Sequence, residues 1–414
     1  MSAGRGRIVM LTHDARIDRR ILLQAEALIA DGWALQVVAM PAAGDGPDPA
    51  WVRRIPATSG DGQSRLLLWA YAACRHLLPM NGVIMRRLKS FAWAFLADPE
   101  TFFLRSFGPT LAGLPAEIVV AHDLPMLPVG VWLADRCGAR LVFDSHELWC
   151  EQNFPRSWRR AWGRVESRHM GRCDAVITVN ASIAAELRHR HRLADVQVVT
   201  NAAPEPPQQA RSLRQACGIP HEHRVLLYQG SLSEGRQLAQ VVQAMHQIRA
   251  LDWHLVMLGD GVLRSRLQRL AGRGPARDRI HILPAVPQDD LLAWTASADA
   301  GLVPYVADCM NSMLCTPNKL YEFISAGLPI LASDLPELRS IVRDRGFGMV
   351  ADLSLPMQIA RSIDAFVADH AKLAAWRRAV VSGRHEFGWP MQAERLQALF
   401  RQWRFPERIV EKLA

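Results

Sequence analysis

Residues 7–39 read RIVMLTHDARIDRRILLQAEALIADGWALQVVA, and this stretch decides the fold. The apolar run Arg7–Thr12 predicts a short buried strand. Apolar residues at positions 17, 21, 25, 28 and 29 then recur at helical spacing until Gly32 ends the pattern. A second strand is predicted over 34–39. The β-α-β order favours parallel pairing of the two strands.

The same alternation of strand and helix patterns continues along the chain. Further strands are predicted at 117–121, 140–144, 174–179 and 196–200 and, after a proline cluster at 203–207, at 224–228, 253–258, 280–283, 300–304, 329–332 and 348–350. Helical patterns separate these strands, which is typical of a parallel, doubly wound sheet. We therefore predict an α/β protein of two Rossmann-like domains, residues 1–204 and 208–384, followed by a terminal segment, 385–414.

Length and composition exclude several classes of protein. The chain has 414 residues, enough for two or three domains, and is 50% hydrophobic and 21% charged, which argues against a disordered or polytopic membrane protein. Its net charge of +9 favours anionic partners, and the alternative interpretation is an ordinary basic surface in contact with solvent. Seven scattered cysteines without a C-x-x-C pair indicate no disulfide framework or zinc site. No signal peptide or membrane-spanning stretch is visible, so we expect a cytoplasmic protein.

Candidate ligand-binding residues follow the predicted strands of the second half, because ligands of doubly wound sheets bind outside the carboxyl ends of strands. Gly230 and Ser231 follow one strand and lead to Arg236 at the start of a helix. Glycines and free helix amides next to an arginine suit a phosphate group, whereas the alternative is an ordinary β-α turn. Gly259 lies in a second turn of this kind, where an Asp-Gly pair is expected for conformational reasons alone.

The segment 311–334 is the most informative part of the second half. Pro317 and Gly327 are placed to begin and end a helix, in which Lys319 and Glu322 share one face of the first turn. The ammonium could neutralise a diphosphate, and the carboxylate could accept hydrogen bonds from a ribose diol. The alternative is a surface ion pair, which contributes only about 0.2–0.5 kcal/mol.

Three predicted strands of the first half are followed by histidine and acidic residues. These residues are His13 and Asp14, His122 and Asp123, and Asp144, His146 and Glu147. Histidine is the side chain best suited to moving protons near neutral pH, although any one of these could be a structural loop residue. Consecutive strand ends bring them to one region. Their spacing matches no known metal-ligand pattern, so we predict no metal.

In order and spacing, these motifs resemble those of the GT-B glycosyltransferases, specifically the retaining group known as glycosyltransferase family 4. The resemblance covers nearly the whole chain and rests on residues 18–28, 121–123, 144–147, 199–204, 230–236, 259–261 and 317–329. It implies an N-terminal acceptor-binding domain and a C-terminal nucleotide-sugar-binding domain that face a cleft, with a terminal helix crossing back to the N-terminal domain. It also implies metal-independent, retaining transfer of a sugar from a nucleoside diphosphate to a hydroxyl group, with no cofactor.

The resemblance further implies roles for individual residues. His122 would lie beside the transferred sugar, Arg236 and Lys319 would hold the diphosphate, and Glu322 would hold the ribose. The donor set is then Gly230, Ser231, Arg236, Gly259, Asn318, Lys319 and Glu322, and the acceptor set is His13, Asp14 and His146.

Two positions depart from the family pattern. The usual motif has two glutamates separated by seven residues, and Leu314 stands where the first one is expected before Glu322. Ser231 stands where an arginine is common. Because the first glutamate contacts the sugar in many family members, two alternatives stay open: a nucleotide-sugar epimerase of the same architecture, and an inactive nucleotide-sugar-binding subunit of a glycan assembly complex. Nucleic-acid binding is disfavoured, since no recognition motif accompanies the spread charge.

The stretch 65–105 combines basic and aromatic residues. Its basic residues are Arg65, Arg75, Arg86, Arg87, Lys89 and Arg105. Such a composition suits adsorption to an anionic membrane surface, and the alternative is a pair of core-packed helices with a basic outer face. Bacterial family members often extend lipid-linked glycans, so the resemblance favours peripheral association with the inner face of a membrane and a role in cell-surface polysaccharide synthesis.

Overall fold

The computed structural model describes residues 5–42, 47–56, 99–207 and 211–403. The chain divides into two compact units. The first comprises the residues up to Val199 and those from Leu396 onward, and the second is Thr200–Arg395. The sequence-based bounds differ slightly, since they place the first junction at 204–208 and the return at 385.

The described part of the first unit is built on a seven-stranded parallel sheet of order β3-β2-β1-β4-β5-β6-β7. The strands are β1 (Arg7–Thr12), β2 (Ala34–Ala39), β3 (Val52–Arg54), β4 (Ile118–His122), β5 (Arg140–Ser145), β6 (Ala175–Thr178) and β7 (Gln197–Val198). The α-helices between them are Arg19–Ala30, Pro99–Leu111, Leu127–Cys137, Arg156–His169 and Ala181–His191. Every residue of β4 is buried, which explains why such central strands are continuous apolar runs.

The second unit contains a six-stranded parallel sheet of order β10-β9-β8-β11-β12-β13 within its described residues. The strands are β8 (Arg224–Gln229), β9 (Trp253–Leu258), β10 (Ile280–Leu283), β11 (Ala300–Val303), β12 (Ile330–Ser333) and β13 (Gly348–Ala351). The α-helices are Leu213–Cys217, Leu238–Met245, Arg264–Ala271, Leu291–Thr295, Met310–Met313, Asn318–Ser325, Pro336–Leu338, Pro356–Ala368 and His370–Gly383. Two parallel, doubly wound sheets confirm the predicted α/β class.

Both sheets have a point where the strand order reverses, between β1 and β4 in the first and between β8 and β11 in the second. Loops that leave neighbouring strands there run to opposite sides of the sheet, and the gap between them is the usual ligand position of such folds. These two points locate the candidate sites described below.

The last helix of the described chain, Trp389–Gln402, begins in the second unit and ends in the first. Its final residues pack into the core of the first unit, where Leu396 and Phe400 are fully buried. Gln397 donates a hydrogen bond to the carbonyl oxygen of Ala27 at 2.8 Å, and Arg401 pairs with Asp31.

Most of the basic and aromatic stretch predicted at 65–105 lies outside the described residues, including Arg65, Arg75, Arg86, Arg87 and Lys89. Its last part belongs to the helix Pro99–Leu111, in which Phe103 is buried and Arg105 is exposed. Across the four described ranges, no helix combines the length and the apolar character needed to cross a bilayer.

Candidate functional site

Two cations lie together at the carboxyl end of the second sheet. Lys319, in the first turn of the helix Asn318–Ser325, places its Nζ 4.0 Å from the ring centroid of Tyr228 and 5.3 Å from that of Tyr305. The guanidinium carbon of Arg236 lies 3.9 Å from the centroid of the same Tyr305 ring. Tyr228 belongs to β8 and Tyr305 follows β11, so the strands on either side of the reversal point supply the rings. Aromatic faces attract cations without neutralising them.

The electrostatics of this pair favour an anionic ligand. Lys319 is only 7% exposed. Burial, together with the nearby Arg236, holds the pKa of Lys319 well below its usual range, and Glu322 only partly opposes this effect. A ligand with adjacent phosphate groups would supply the missing negative charge.

Glu322 is positioned by a chain of buried side chains. It is 6% exposed, and its carboxylate accepts a hydrogen bond from the amide nitrogen of Gln229 at 2.5 Å. The amide oxygen of Gln229 in turn accepts a hydrogen bond from Thr295 at 2.8 Å. Because Lys319 and Glu322 are both buried, interpreting them as a surface ion pair is wrong. Asn318, which begins the same helix, is exposed.

Glycine is required where the loops after β8 and β9 meet. A Cβ atom on Gly259 would lie 1.9 Å from the carbonyl oxygen of Gly230, a distance that no side chain tolerates. Gly230 has a positive φ of 111° and faces Lys319. The backbone oxygen of Ser231 accepts a hydrogen bond from the Tyr228 hydroxyl at 2.7 Å, which fixes the ring that lies under the lysine.

The position of the missing glutamate is also part of this unit. Leu314 follows the short helix Met310–Met313 and is half-buried, and its hydrocarbon side chain offers no polar group to a sugar.

In the first unit, three predicted residues meet at the ends of β4 and β5. His122 and Asp144 are register partners in these strands, and His146 lies two residues beyond. The Nδ1 atom of His122 is 3.2 Å from Nε2 of His146 and 3.4 Å from Oδ2 of Asp144. The distance from Nε2 of His146 to the same carboxylate oxygen is 3.3 Å. The expectation that consecutive strand ends bring these groups together therefore agrees with the geometry.

Two side chains that the sequence reasoning missed hold this cluster from the helix Arg19–Ala30. Arg20 donates from Nη2 to Oδ1 of Asp144 at 3.1 Å, and Gln24 donates from Nε2 to Oδ2 at 2.8 Å. Arg20 also donates to the carbonyl oxygen of Val199 at 2.8 Å. The sequence does contain an indication of this role. Positions 20 and 24 lie one helical turn apart beside the apolar face that includes Ile21, so both polar side chains are directed toward the sheet.

The charges of this cluster follow from its burial. Burial lowers the pKa of His146, but the carboxylates of Asp123 and Asp144 outweigh it and raise the value to about 9. Burial raises the pKa of Asp123 to about 6. Although burial also acts to raise it, Arg20 and His146 hold the pKa of Asp144 well below its usual range. Burial lowers the pKa of His122. At neutral pH His146 is therefore an imidazolium and His122 is neutral.

The same three side chains could also hold a cation, since their ligand atoms all lie within 4.8 Å of one another. Two imidazoles and a carboxylate are suitable zinc ligands. However, Asp144 already pairs with Arg20, and His146 contacts Asp123 at 3.3 Å through its other ring nitrogen. These contacts already engage the carboxylate and one imidazole of the set. Sequence spacing did not reveal this set because its members come from two strand ends.

The remaining predicted acceptor residues lie after β1, which is next to β4 in the sheet. The His13 ring is edge-on to Trp149, with centroids 5.1 Å apart, and to Phe103 at 6.4 Å. Asp14 accepts a hydrogen bond from Thr12 at 3.1 Å within its own loop. Of the predicted acceptor residues, His146 therefore contacts His122, whereas His13 packs against aromatic rings.

Comparison with known proteins identifies the family. Residues 223–369 match the family model described as "Glycosyl transferases group 1", and residues 17–202 match the "Glycosyl transferase 4-like domain". The D-inositol 3-phosphate glycosyltransferase of Xylanimonas cellulosilytica is 26% identical over 215 residues, which are 50% of this chain and 49% of that protein. The chain thus spans about half the length of the first curated relatives that it matches.

Solved structures share the fold. The sucrose-phosphate synthase of Thermosynechococcus elongatus superposes with a TM-score of 0.71 at 16% identity, covering 96% of this chain and 98% of that one. The Anabaena protein HepE in complex with UDP-glucose gives a TM-score of 0.65 at 14% identity, covering 96% and 100%. With both sheets, the two family matches and these structural neighbours in agreement, the chain belongs to the group 1 glycosyltransferases of the GT-B fold.

Proposed function

We propose that this glycosyltransferase transfers a sugar with retention of configuration from a nucleoside diphosphate donor to a hydroxyl group of a glycan or lipid-linked acceptor, without a metal, in cell-surface polysaccharide synthesis. The observation that carries the proposal is the pair of cations, Arg236 and Lys319, resting on two tyrosine rings beside the buried carboxylate of Glu322.

Each group of the second unit has a part in donor binding. The planar guanidinium of Arg236 suits two phosphate oxygens at once, and Lys319 adds a point charge. Glu322 accepts hydrogen bonds from the ribose hydroxyls. HepE was solved with UDP-glucose, so uridine diphosphate sugars are the first donors to test.

The chemistry depends on stabilising the leaving group. As the bond between the sugar carbon and the diphosphate oxygen breaks, negative charge develops on that oxygen, and preorganised cations stabilise it without a metal. In a retaining transfer, the acceptor hydroxyl attacks from the face that the diphosphate leaves. Its proton passes to a departing phosphate oxygen. His122, neutral at pH 7, is the candidate for a hydrogen bond to the transferred sugar.

Two alternatives follow from particular features. Leu314 removes the carboxylate expected near the sugar, which would suit an inactive nucleotide-sugar-binding subunit. An epimerase of the same architecture would convert the donor without any acceptor. An inactive subunit binds a nucleotide-sugar tightly and transfers nothing, whereas an epimerase changes the sugar without releasing nucleoside diphosphate.

The proposal is tested in two steps. Thermal shift against a panel of nucleotide-sugars identifies the donor, because a ligand of the folded state stabilises it by mass action. Release of nucleoside diphosphate is then measured with a membrane extract as acceptor. We expect Arg236→Ala to depress turnover strongly, while the exposed Arg269→Ala control leaves it unchanged. Normal turnover in both Arg236→Ala and Lys319→Met would refute the donor assignment.

The proposed location is the cytoplasmic face of a membrane, with the basic and aromatic stretch 65–105 as the contact. Co-sedimentation with phosphatidylglycerol vesicles, compared with phosphatidylcholine vesicles, tests it. Binding to the anionic vesicles that salt weakens supports the proposal, and equal sedimentation with both kinds contradicts it.

A further inference from the structure

One face of the helix Arg156–His169 carries a row of arginines. The row consists of four exposed side chains at four-residue spacing, Arg156, Arg160, Arg164 and Arg168. Residues four positions apart share one side of a helix, and the row spans about 18 Å along it. Trp162 and Val165 are buried on the opposite side. This arginine row therefore faces away from the core of the unit.

The arginine row lacks the acidic partners that neighbouring arginines have. Arg159 and Arg190, which lie to one side of the row, both pair with Glu151. Within the described ranges, only the last member of the row pairs with a carboxylate, Arg168 with Glu100, and three have no acidic partner: Arg156, Arg160 and Arg164. Like charges four positions apart destabilise a helix, and an anionic ligand would offset this effect.

A groove of about 360 Å³ lies beside the arginine row. Its lining includes two small residues, Gly163 and Ser167, and four arginines, Arg156, Arg159, Arg160 and Arg190. The same two small residues line a depression that extends the groove along the helix, together with Arg160, Arg164 and Arg168. The arginine row is therefore bordered by open space for an extended ligand.

Gly163 is a glycine in the middle of this helix without a steric reason. Its φ is not positive, and a Cβ atom would have no neighbour within 4 Å apart from its own helical turn. Glycine in a helix interior is less stable than alanine. It instead leaves the backbone open between the arginines, where a bulky ligand can approach closely.

The composition of the exposed face selects among anionic polymers. Single-stranded nucleic acid stacks its bases on aromatic rings, and helices that adsorb to a bilayer insert large apolar side chains. The exposed residues of this helix are all arginine or serine, and its two tryptophans, Trp158 and Trp162, are half-buried and buried. Planar guanidinium groups beside a hydroxyl and an open backbone instead suit a chain of sugar rings that carries carboxylates.

We propose that the arginine row and its groove bind an acidic polysaccharide, a glycan chain with carboxylate groups. The guanidinium groups hold the carboxylates, and the sugar rings lie over Gly163 and Ser167. None of these residues belongs to the predicted donor or acceptor sets, so the surface retains an anionic polymer at the enzyme without taking part in transfer. The inference rests on the proposed function, because polysaccharide synthesis brings such a chain to the protein.

Fluorescence anisotropy of a short labelled oligogalacturonate measures this binding directly. The competitors are a neutral dextran oligosaccharide, oligothymidylate and phosphatidylglycerol vesicles. The variant Arg160→Gln/Arg164→Gln removes two charges from the row. The matched control, Arg269→Gln/Arg273→Gln, removes two exposed arginines of the second unit that are also four positions apart.

We expect saturable binding that salt weakens and that dextran does not reverse. The row variant should weaken binding roughly tenfold or more, because it removes two charge-assisted hydrogen bonds, whereas the control variant should change it little. Gly163→Gln should raise the thermal stability, since glutamine is the better helix former, and should nevertheless weaken binding because its side chain fills the groove. These opposite effects separate binding from folding.

The proposal is overturned if oligogalacturonate does not bind, which would mean that the row is an ordinary solvated face. Equal losses of affinity in the two double variants would also overturn it, because net charge alone would then attract the polymer. The same holds if oligothymidylate or the vesicles bind more tightly than oligogalacturonate, or if Gly163→Gln binds it as tightly as the unmodified protein.

Failure here and failure of the proposed function are distinguishable, because oligogalacturonate binding requires no nucleotide-sugar. A nucleotide-sugar that stabilises the protein and is turned over, without any binding of oligogalacturonate, overturns only the polysaccharide site. Oligogalacturonate binding that the row variant loses, without any stabilising nucleotide-sugar, supports the polysaccharide site and overturns the proposed function.

Discussion

Binding of a nucleotide-sugar should bring a proton onto Lys319. In the free protein this side chain is buried above Tyr228, and burial together with Arg236 holds its pKa well below the usual range. A bound diphosphate places negative charge beside the ammonium, so the pKa of Lys319 rises toward its ordinary value. The two phosphates of a nucleotide-sugar are strongly acidic diesters and take up no proton themselves near neutral pH.

The size of the effect follows from linkage. The pKa of Lys319 is higher in the complex than in the free protein. The affinity for the nucleotide-sugar is therefore greatest at pH values below the pKa of the free protein, and this gain is lost as the pH rises through the pKa of the complex. Between the two, the dissociation constant should change by up to about tenfold per pH unit, or about 1.4 kcal/mol. The same burial makes the charged lysine costly to the fold, so Lys319→Met should raise the free energy of unfolding while abolishing the linkage.

Calorimetry measures the linkage directly. Titrations at mildly alkaline pH in buffers of different protonation enthalpy give the number of protons taken up on binding. We expect a fractional uptake, at most a single proton, in the unmodified protein and none in Lys319→Met. The exposed Lys372→Met, which loses a lysine near Trp376, should keep the original uptake. Binding without proton uptake, or uptake that persists in Lys319→Met, would refute the assignment of Lys319 to the diphosphate.

Three further changes probe the same geometry. Gly259→Ala places a methyl group 1.9 Å from the Gly230 carbonyl oxygen, so it should displace the loop after β8 and lower stability by about 1–3 kcal/mol, with weaker nucleotide-sugar binding in thermal shift. Arg20→Met leaves the buried carboxylate of Asp144 without its guanidinium and should lower the free energy of unfolding in urea by about 3–5 kcal/mol. Burial and neighbouring histidines lower the pKa of His254 to about 4, so stability should fall by at most about 3 kcal/mol between pH 6.5 and 4, and His254→Gln should flatten that decline.

Each of these three substitutions has a matched control variant and a result that would contradict its prediction. Gly272→Ala, with its nearest neighbour 3.4 Å away, should have little effect, and equal effects at both glycines would contradict the close approach. The exposed Arg164→Met controls for loss of an arginine, and an equal loss of stability would contradict the role of the buried pair. The exposed His370→Gln should keep the fall of stability between pH 6.5 and 4. If His254→Gln also keeps that fall, protonation of His254 is not its cause.

The positions of Arg236, Lys319 and Glu322 were largely predictable from the sequence because these residues are local. Arg236 lies in the short segment after one strand, and Lys319 and Glu322 lie in one helical turn, so strand and helix patterns alone place them at the carboxyl end of the second sheet. The strands of both sheets were predictable for the same reason, since they are short apolar runs. The exception is β3, whose three residues, Val52–Arg54, include two arginines and carry no apolar pattern.

The surroundings of these groups could not be predicted because they come from distant segments. Tyr228 and Tyr305 lie under the cations from different strands, and Gln229 reaches Glu322 across 93 positions. In the first unit, Arg20 contacts Asp144 across 124 positions. Periodicity shows which face of a helix is buried, but not which polar partner meets it there.

The most direct measurement of the central claim is the product of a single reaction with an α-linked nucleotide-sugar, the identified acceptor and purified protein, analysed by ¹H nuclear magnetic resonance. We expect release of nucleoside diphosphate together with an α-linked product in the unmodified protein, and neither product in Arg236→Ala. A β-linked product would contradict retention. An epimerised nucleotide-sugar with no released diphosphate would contradict glycosyl transfer itself.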